Sequence, residues 1–295
     1  MNQSKSIVWV TLGAMSYGTL SVFVKLAYKE DYEVGDLTGT QAILGTIFLV
    51  LLLMVSRLRS RLPKLLFRQA RTLFFWGIPA SLTGIFYYSS MQYVPASLAV
   101  VLLFQFTWIG TLVDVVKSKG KPSIQQTVSL VLIFIGTILS SGFLEQNSIE
   151  FSWKGILLGL LSAFSYALFI FSSGAIAKEI YPLYKSLFMV MGSAMTVSVL
   201  FPPVYLFDGT FSCGLWKWSL PLALFGMVIP HLLYAKGMPQ ISFKLGSILG
   251  AIELPTAVFM ASLVLQEEVS LLQWIGVYLI LIATGISHTF KRNDT

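Results

Sequence analysis

The sequence predicts an all-α membrane protein of ten transmembrane helices, arranged as two inverted five-helix repeats. Three observations carry this. Apolar runs of about twenty residues recur along the chain, long enough to cross a bilayer's hydrocarbon core at ~1.5 Å per residue. Lysine and arginine concentrate in alternate loops, and the chain aligns on itself at an offset of 149 residues.

The apolar runs are Ile7–Ala27, Leu37–Val55, Leu73–Met91, Ala96–Val116, Ile124–Phe143, Gly155–Ile176, Ser186–Phe207, Trp216–Tyr234, Leu245–Gln266 and Leu271–Phe290. With 56% hydrophobic and 11% charged residues, the chain lies far from the soluble average of about 25% charged. Its mean hydropathy of +0.78 agrees. The first run follows Lys5 like a secretory signal, but it continues past twenty residues with no small-x-small cleavage site, so it reads as a retained spanning helix.

Composition also excludes function classes. One cysteine, Cys213, rules out an internal disulfide and a cysteine-based metal cluster. The two histidines, His231 and His288, form no H-E-x-x-H pattern, and no G-x-x-x-x-G-K-[ST] phosphate loop occurs, so neither a metal, an organic cofactor nor ATP hydrolysis is expected. The net charge of +7 comes from short loops and reads as an orientation signal, with no nucleic-acid partner implied.

Sixteen of the twenty basic residues fall on one side: Lys5, the cluster Arg57 to Arg71, Lys117 to Lys121, Lys178 and Lys185, Lys236 and Lys244, and Lys291 with Arg292. The acidic residues Glu30, Asp31, Glu33, Asp36, Glu145, Glu150, Asp208, Glu267 and Glu268 fall on the other. Positive loops stay inside, so both termini are expected in the cytoplasm of a multi-pass protein of the plasma or inner membrane.

At the offset of 149, Ser16-Tyr17 meets Ser165-Tyr166, Lys29-Glu30 meets Lys178-Glu179, Gly77 meets Gly226 and Gly136 meets Gly285. The repeats are read as 7–143 and 152–290. Five helices is an odd number, so the second copy must insert upside down relative to the first, an arrangement that places a substrate site near the membrane midplane.

The chain at this point resembles the EamA domain of the drug/metabolite transporter superfamily. The resemblance rests on Gly13-Ala14-Met15-Ser16-Tyr17, Tyr93-Val94-Pro95-Ala96-Ser97-Leu98-Ala99, Glu253-Leu254-Pro255, Gln266-Glu267-Glu268 and Gln273-Trp274-Ile275-Gly276. It implies a ten-helix exporter or permease for small metabolites or amino acids, with a central cavity lined by helices 1, 3, 4, 6, 8 and 9.

Glu253 is the residue to which the sequence points most directly. It is the only charge in Leu245–Gln266, and an ionised Asp at mid-membrane costs about 2.5–3.5 kcal/mol even on insertion scales, with Glu similar. It is a candidate for binding a substrate amine or exchanging a proton, weighed evenly against a structural polar contact. Gln105 and Trp108 share a helical face and are candidates for the same cavity, interhelical bonding being the commoner fate of such an amide. Tyr17 and Tyr166 are repeat equivalents whose hydroxyls need partners in lipid. Tyr88 competes with its neighbour Tyr87, since only one of two adjacent helical residues normally faces a cavity. His231, with Tyr234 three residues on, is a candidate for a proton step, weighed two to one against it. Lys25 is read as snorkelling, and Asp114 as pairing with a loop lysine. Gly155-x-x-x-Gly159 and Gly246-x-x-x-Gly250 are packing devices, and Pro79, Pro221, Pro230 and Pro255 mark bends.

The function expected is secondary transport of a small organic solute by alternating access, outward on the strength of the resemblance, with proton coupling and facilitated diffusion both open. Three rivals were weighed: a nucleotide-sugar or lipid-linked sugar carrier, an intramembrane enzyme, and a non-transporting receptor or assembly protein.

Overall fold

A computed structural model describes residues 3–59, 62–94, 96–110, 124–142, 144, 152–266 and 268–289. Ten helical rods follow one another: α1 (Gln3–Tyr28), α2 (Val34–Arg59), α3 (Phe67–Phe75 and Ile78–Ser90), α4 (Ala96–Leu103, resuming at 106–110), α5 (Ile124–Ser140), α6 (Trp153–Ala175), α7 (Pro182–Leu200), α8 (Phe211–Gln240), α9 (Phe243–Val264) and α10 (Leu271–Thr289). Among the described residues, α1, α2, α6, α7, α8 and α9 are long and apolar enough to cross a membrane. Leu98–Gly110, Thr127–Ser140 and Leu271–Thr284 are shorter apolar helices. Asp114, read as pairing with a loop lysine, lies outside the described residues, as do Lys117, Lys119 and Lys121.

Large apolar side chains point outward along the rods, as with Val8, Leu12 and Met15 on α1, Leu157, Leu160 and Phe164 on α6, and Leu271, Ile275, Tyr278 and Ile282 on α10. The spacing of three and four residues makes each a stripe on one helix face, suited to acyl chains. The interior instead holds small polar residues that answer their own backbone. Thr38 donates to Val34, Thr137 to Ile133 and Ser172 to Phe169, so no water is needed to satisfy them.

The rods pair by exchange. α3 packs on α6 as α8 packs on α1; α3 lies against α7 as α8 lies against α2; α4 lies against α6 as α9 lies against α1. Two pairs map onto themselves, α2 with α7 and α5 with α10. Glycines set the closest approaches. A Cβ on Gly77 would overlap the Met189 carbonyl of α7, and one on its repeat equivalent Gly226 would press on Leu20 and the Gln41 amide oxygen of α2. Gly136 and Gly276 meet where α5 crosses α10. Gly155 and Gly159 seat Tyr93, Val94 and Leu102, while Gly246 and Gly250 seat Met238 and Phe106, so both G-x-x-x-G pairs are contact faces.

Five rods break along their length. α1 kinks at Gly18–Thr19, α3 at Trp76–Gly77, α4 at 104–105 and α9 at 251–252. α8 widens to π-helix at Ala223–Val228, between Pro221 and Pro230. Pro230 has no amide hydrogen to give back to the preceding turn, and the Phe225 carbonyl is taken by the Ser16 hydroxyl of α1 at 2.8 Å. On the side rich in lysine and arginine, Lys185 is 1% exposed and its ammonium donates to the carbonyls of Ser173 and Ile176, 2.7 and 2.8 Å away, closing the end of α6.

Candidate functional site

The site grows out of the break in α9. Pro255 cannot donate to the Ala251 carbonyl, which accepts from Leu254 at 3.3 Å in a tighter turn, and the helix restarts at Glu253. Its carboxylate therefore stands in the first turn of the restarted helix, beside the break. α1 passes directly over this break: a Cβ on Gly18 would collide with the Glu253 carbonyl and with Thr256.

From α6, the Tyr166 hydroxyl donates to Glu253 Oε2 at 3.0 Å, and it lies 3.5 Å from the Tyr234 hydroxyl of α8. Aromatic rings enclose this group. Tyr17 meets Tyr166 and Tyr234 edge-on at 6.1 and 5.8 Å, and Phe106 meets Tyr166 edge-on at 4.7 Å. Phe169 stacks against Tyr166 at 6.1 Å and reaches the His231 ring at 5.0 Å. Edge-to-face and stacked pairs of this kind add roughly 0.5–1.5 kcal/mol each beyond area burial, which holds the rings rigid around the carboxylate.

Above the rings lies a cavity of about 1000 Å³. It runs from loop ends carrying Asp31, Glu33 and Glu268 down to Tyr166, Phe169, His231 and Glu253. Among its described lining residues, four carboxylates (Asp31, Glu33, Glu253 and Glu268) face a single lysine, Lys25, near the mouth. The described lining therefore carries more acidic than basic side chains. At the rim, burial and then the Glu30 carboxylate raise the pKa of the Tyr32 phenol.

Of the residues singled out in the sequence, Glu253, Tyr17, Tyr88, Tyr166 and His231 line this cavity. Tyr234 is fully buried behind the Tyr166 hydroxyl and backs the site without lining it. Gln105 and Trp108 lie off the cavity. The Gln105 amide donates to the Val101 carbonyl of its own helix at 2.9 Å, and Trp108 packs edge-on against Phe134 of α5. The break at 104–105 accounts for both, because it turns Phe104 inward in their place. Tyr87 joins Tyr88 on the wall; adjacent helical residues are only about 100° apart, and the cavity is wide enough to take both. Lys25 is exposed at the mouth.

Lining residues not selected as site candidates from sequence include Tyr28, Gln41, Phe104 and Phe169. The glycine pair at offset 149 held a signal for Gln41, since Gly226 is the residue whose missing side chain admits it.

The EamA-like transporter family matches the chain twice, over residues 4–142 and 153–288. A curated relative, GDP-fucose transporter 1 of Dictyostelium discoideum, is 24% identical over 183 residues, covering 59% of this chain and 47% of that protein. The match therefore spans about half the length of that relative. A solved crystal structure superposes with a TM-score of 0.76 at 14% identity, covering 99% of this chain and 100% of the other, which is a likeness of fold. A double match over almost the whole length, on ten helical rods with six spans able to cross a bilayer, gives the assignment: the chain belongs to the EamA-like transporter family and is a multi-pass membrane protein.

Proposed function

We propose that this protein is a secondary transporter of small organic metabolites bearing a protonated amine, amino acids among them, with Glu253 as the anchor of the amine. The observation that carries the reading is the cavity itself: four carboxylates against one lysine, ending on a carboxylate ringed by Tyr17, Tyr166 and Phe169. An ammonium group loses water on entering such a site, and a paired carboxylate with aromatic faces compensates for that loss.

The halves are read as inverted repeats that rock about Glu253 in alternating access, in the plasma or inner membrane with both termini in the cytoplasm and net movement outward. The exchange pairing of the rods and the segregation of basic residues support this. In that frame the cavity faces outward and the Lys185 side is closed. Proton coupling through Glu253 is the form of energy input that the site suggests.

A second reading, a nucleotide-sugar carrier, is favoured by the similarity to the GDP-fucose transporter. A phosphate-bearing ligand calls for cations at depth, and the described depth of the cavity holds a carboxylate instead. Counterflow in proteoliposomes decides between them. Amine-bearing solutes such as lysine, phenylalanine and putrescine should exchange, and Glu253→Gln should abolish this. Exchange of GDP-fucose with no response to any amine would transfer the assignment to the second reading.

A further inference from the structure

The cavity wall also carries polar atoms that the amine reading does not use. Gln41 of α2 is 6% exposed and His231 of α8 is 3% exposed, and both line the cavity. Among the described residues, Gln41 Oε1 and both ring nitrogens of His231 make no hydrogen bond of good geometry, beyond a loose approach of the imidazole to the Met227 backbone. Buried polar groups are normally satisfied, and several left open along one wall call for a bound partner. Local structure holds them there. Gly226 has no side chain to displace Gln41, and the widened turn at Ala223–Val228 and Pro230 set His231 toward the cavity.

The chemistry of the pair is specific. An amide oxygen accepts; a neutral imidazole donates from one nitrogen and accepts at the other. A group that both donates and accepts satisfies the pair, whereas a carboxylate offers Gln41 Oε1 no hydrogen. Contacts from Glu253 pass through Tyr166 and the stacked Phe169 before reaching His231. Among the described residues no hydrogen bond joins Glu253 to Gln41 Oε1 or to the His231 ring, so the polar wall is a group separate from the carboxylate.

We infer that Gln41 and His231 form a second subsite of the same cavity, which takes a neutral hydroxyl or carboxamide group at the far end of an amine-bearing substrate. This rests on the proposed transport function for its amine end only, and its test separates the two.

The protein in lipid nanodiscs is titrated with pentylamine, with its terminal amino-alcohol and amino-amide analogues, and with valeramide, which has no amine. Side-chain nitrogen NMR of histidine-labelled protein reports on His231; the sequence has only two histidines, and His231→Asn assigns the signal. The alcohol and amide probes should move the His231 signals and bind about tenfold more tightly than pentylamine, the worth of roughly one hydrogen bond. Gln41→Leu should erase that preference. Valeramide should move the signals in the parent protein and in Glu253→Gln alike. Unmoved His231 signals with all polar probes, or a preference that survives Gln41→Leu, would overturn the subsite; the NMR arm needs no variant of the site to fold. Failure of pentylamine alone to bind, with valeramide still shifting His231, overturns the amine anchor and leaves the subsite standing.

Discussion

The hydroxyl of Tyr166 on α6 donates to the carboxylate of Glu253 on α9 across 3.0 Å, 87 positions apart in the chain. This bond ties a broken helix of the second repeat to the helix that opens it, at the floor of the cavity. Since Glu253 otherwise faces the cavity, the bond leaves the rest of the carboxylate for a ligand.

Tyr166→Phe removes one hydrogen bond to a charged acceptor, worth about 1.5–3 kcal/mol. Transport of amine solutes should keep its maximal rate within a few fold while KM rises roughly ten- to hundredfold. Glu253→Gln should lose transport altogether, and Glu253→Asp, with a shorter reach, should fall between. Equal kinetics for the parent and Tyr166→Phe in proteoliposomes would remove the bond from the mechanism.

The rim carboxylates act at a distance. Asp31→Asn, Glu33→Gln and Glu268→Gln, combined, should raise KM for a cationic solute at low salt with little change in maximal rate. The difference should shrink at high salt, because the Debye length falls from about 10 Å at 0.1 M to about 3 Å at 1 M. A salt-independent effect would show that these residues touch the substrate directly.

Accessibility follows the lining. On a Cys213→Ala background, Thr83→Cys and Ala257→Cys should react with a membrane-impermeant thiol reagent and be protected by substrate. Trp108→Cys should not react, because its side chain sits against Phe134. Labelling of Trp108→Cys at the rate of Ala257→Cys would contradict the described break in α4.

Two glycines differ in what surrounds them. Gly77→Ala drives a Cβ into the Met189 backbone and should destabilise the protein by about 1–3 kcal/mol, the usual cost of overpacking. Gly84→Ala meets nothing nearer than 3.9 Å and should leave the melting temperature unchanged. Thermal unfolding followed by tryptophan fluorescence separates the two.

Lys185→Met leaves two helix-end carbonyls of α6 without a donor in a dry setting, at a cost of about 1–3 kcal/mol. Lys185→Arg, which keeps the charge and donors, should recover part of that loss. An unchanged melting temperature for Lys185→Met would show that the ammonium is not a cap.

How much of the site was legible varied with the kind of signal. Glu253 stood out because one charge among apolar residues has few benign explanations, and Tyr17 with Tyr166 because the repeat doubled them. Gln105 and Trp108 were placed by helical spacing, and that spacing holds only while a helix stays regular; the turn at 104–105 rotates both away. Phe169 gave no sign and Gln41 only an indirect one through its glycine partner, since a glutamine in an apolar run and a phenylalanine among phenylalanines become site residues only through what crosses them.

From the sequence alone came the all-helical character, the apolar rods and the alternation of charge, because burial in lipid is written residue by residue in hydropathy and in loop lysines. The tertiary structure decided which faces meet: that α1 crosses α9 at Gly18, that Gly226 admits Gln41, and that Tyr166 reaches Glu253. Those contacts depend on where rods kink and on the side chains missing at crossings, and a one-dimensional pattern does not contain the angle at which two helices touch.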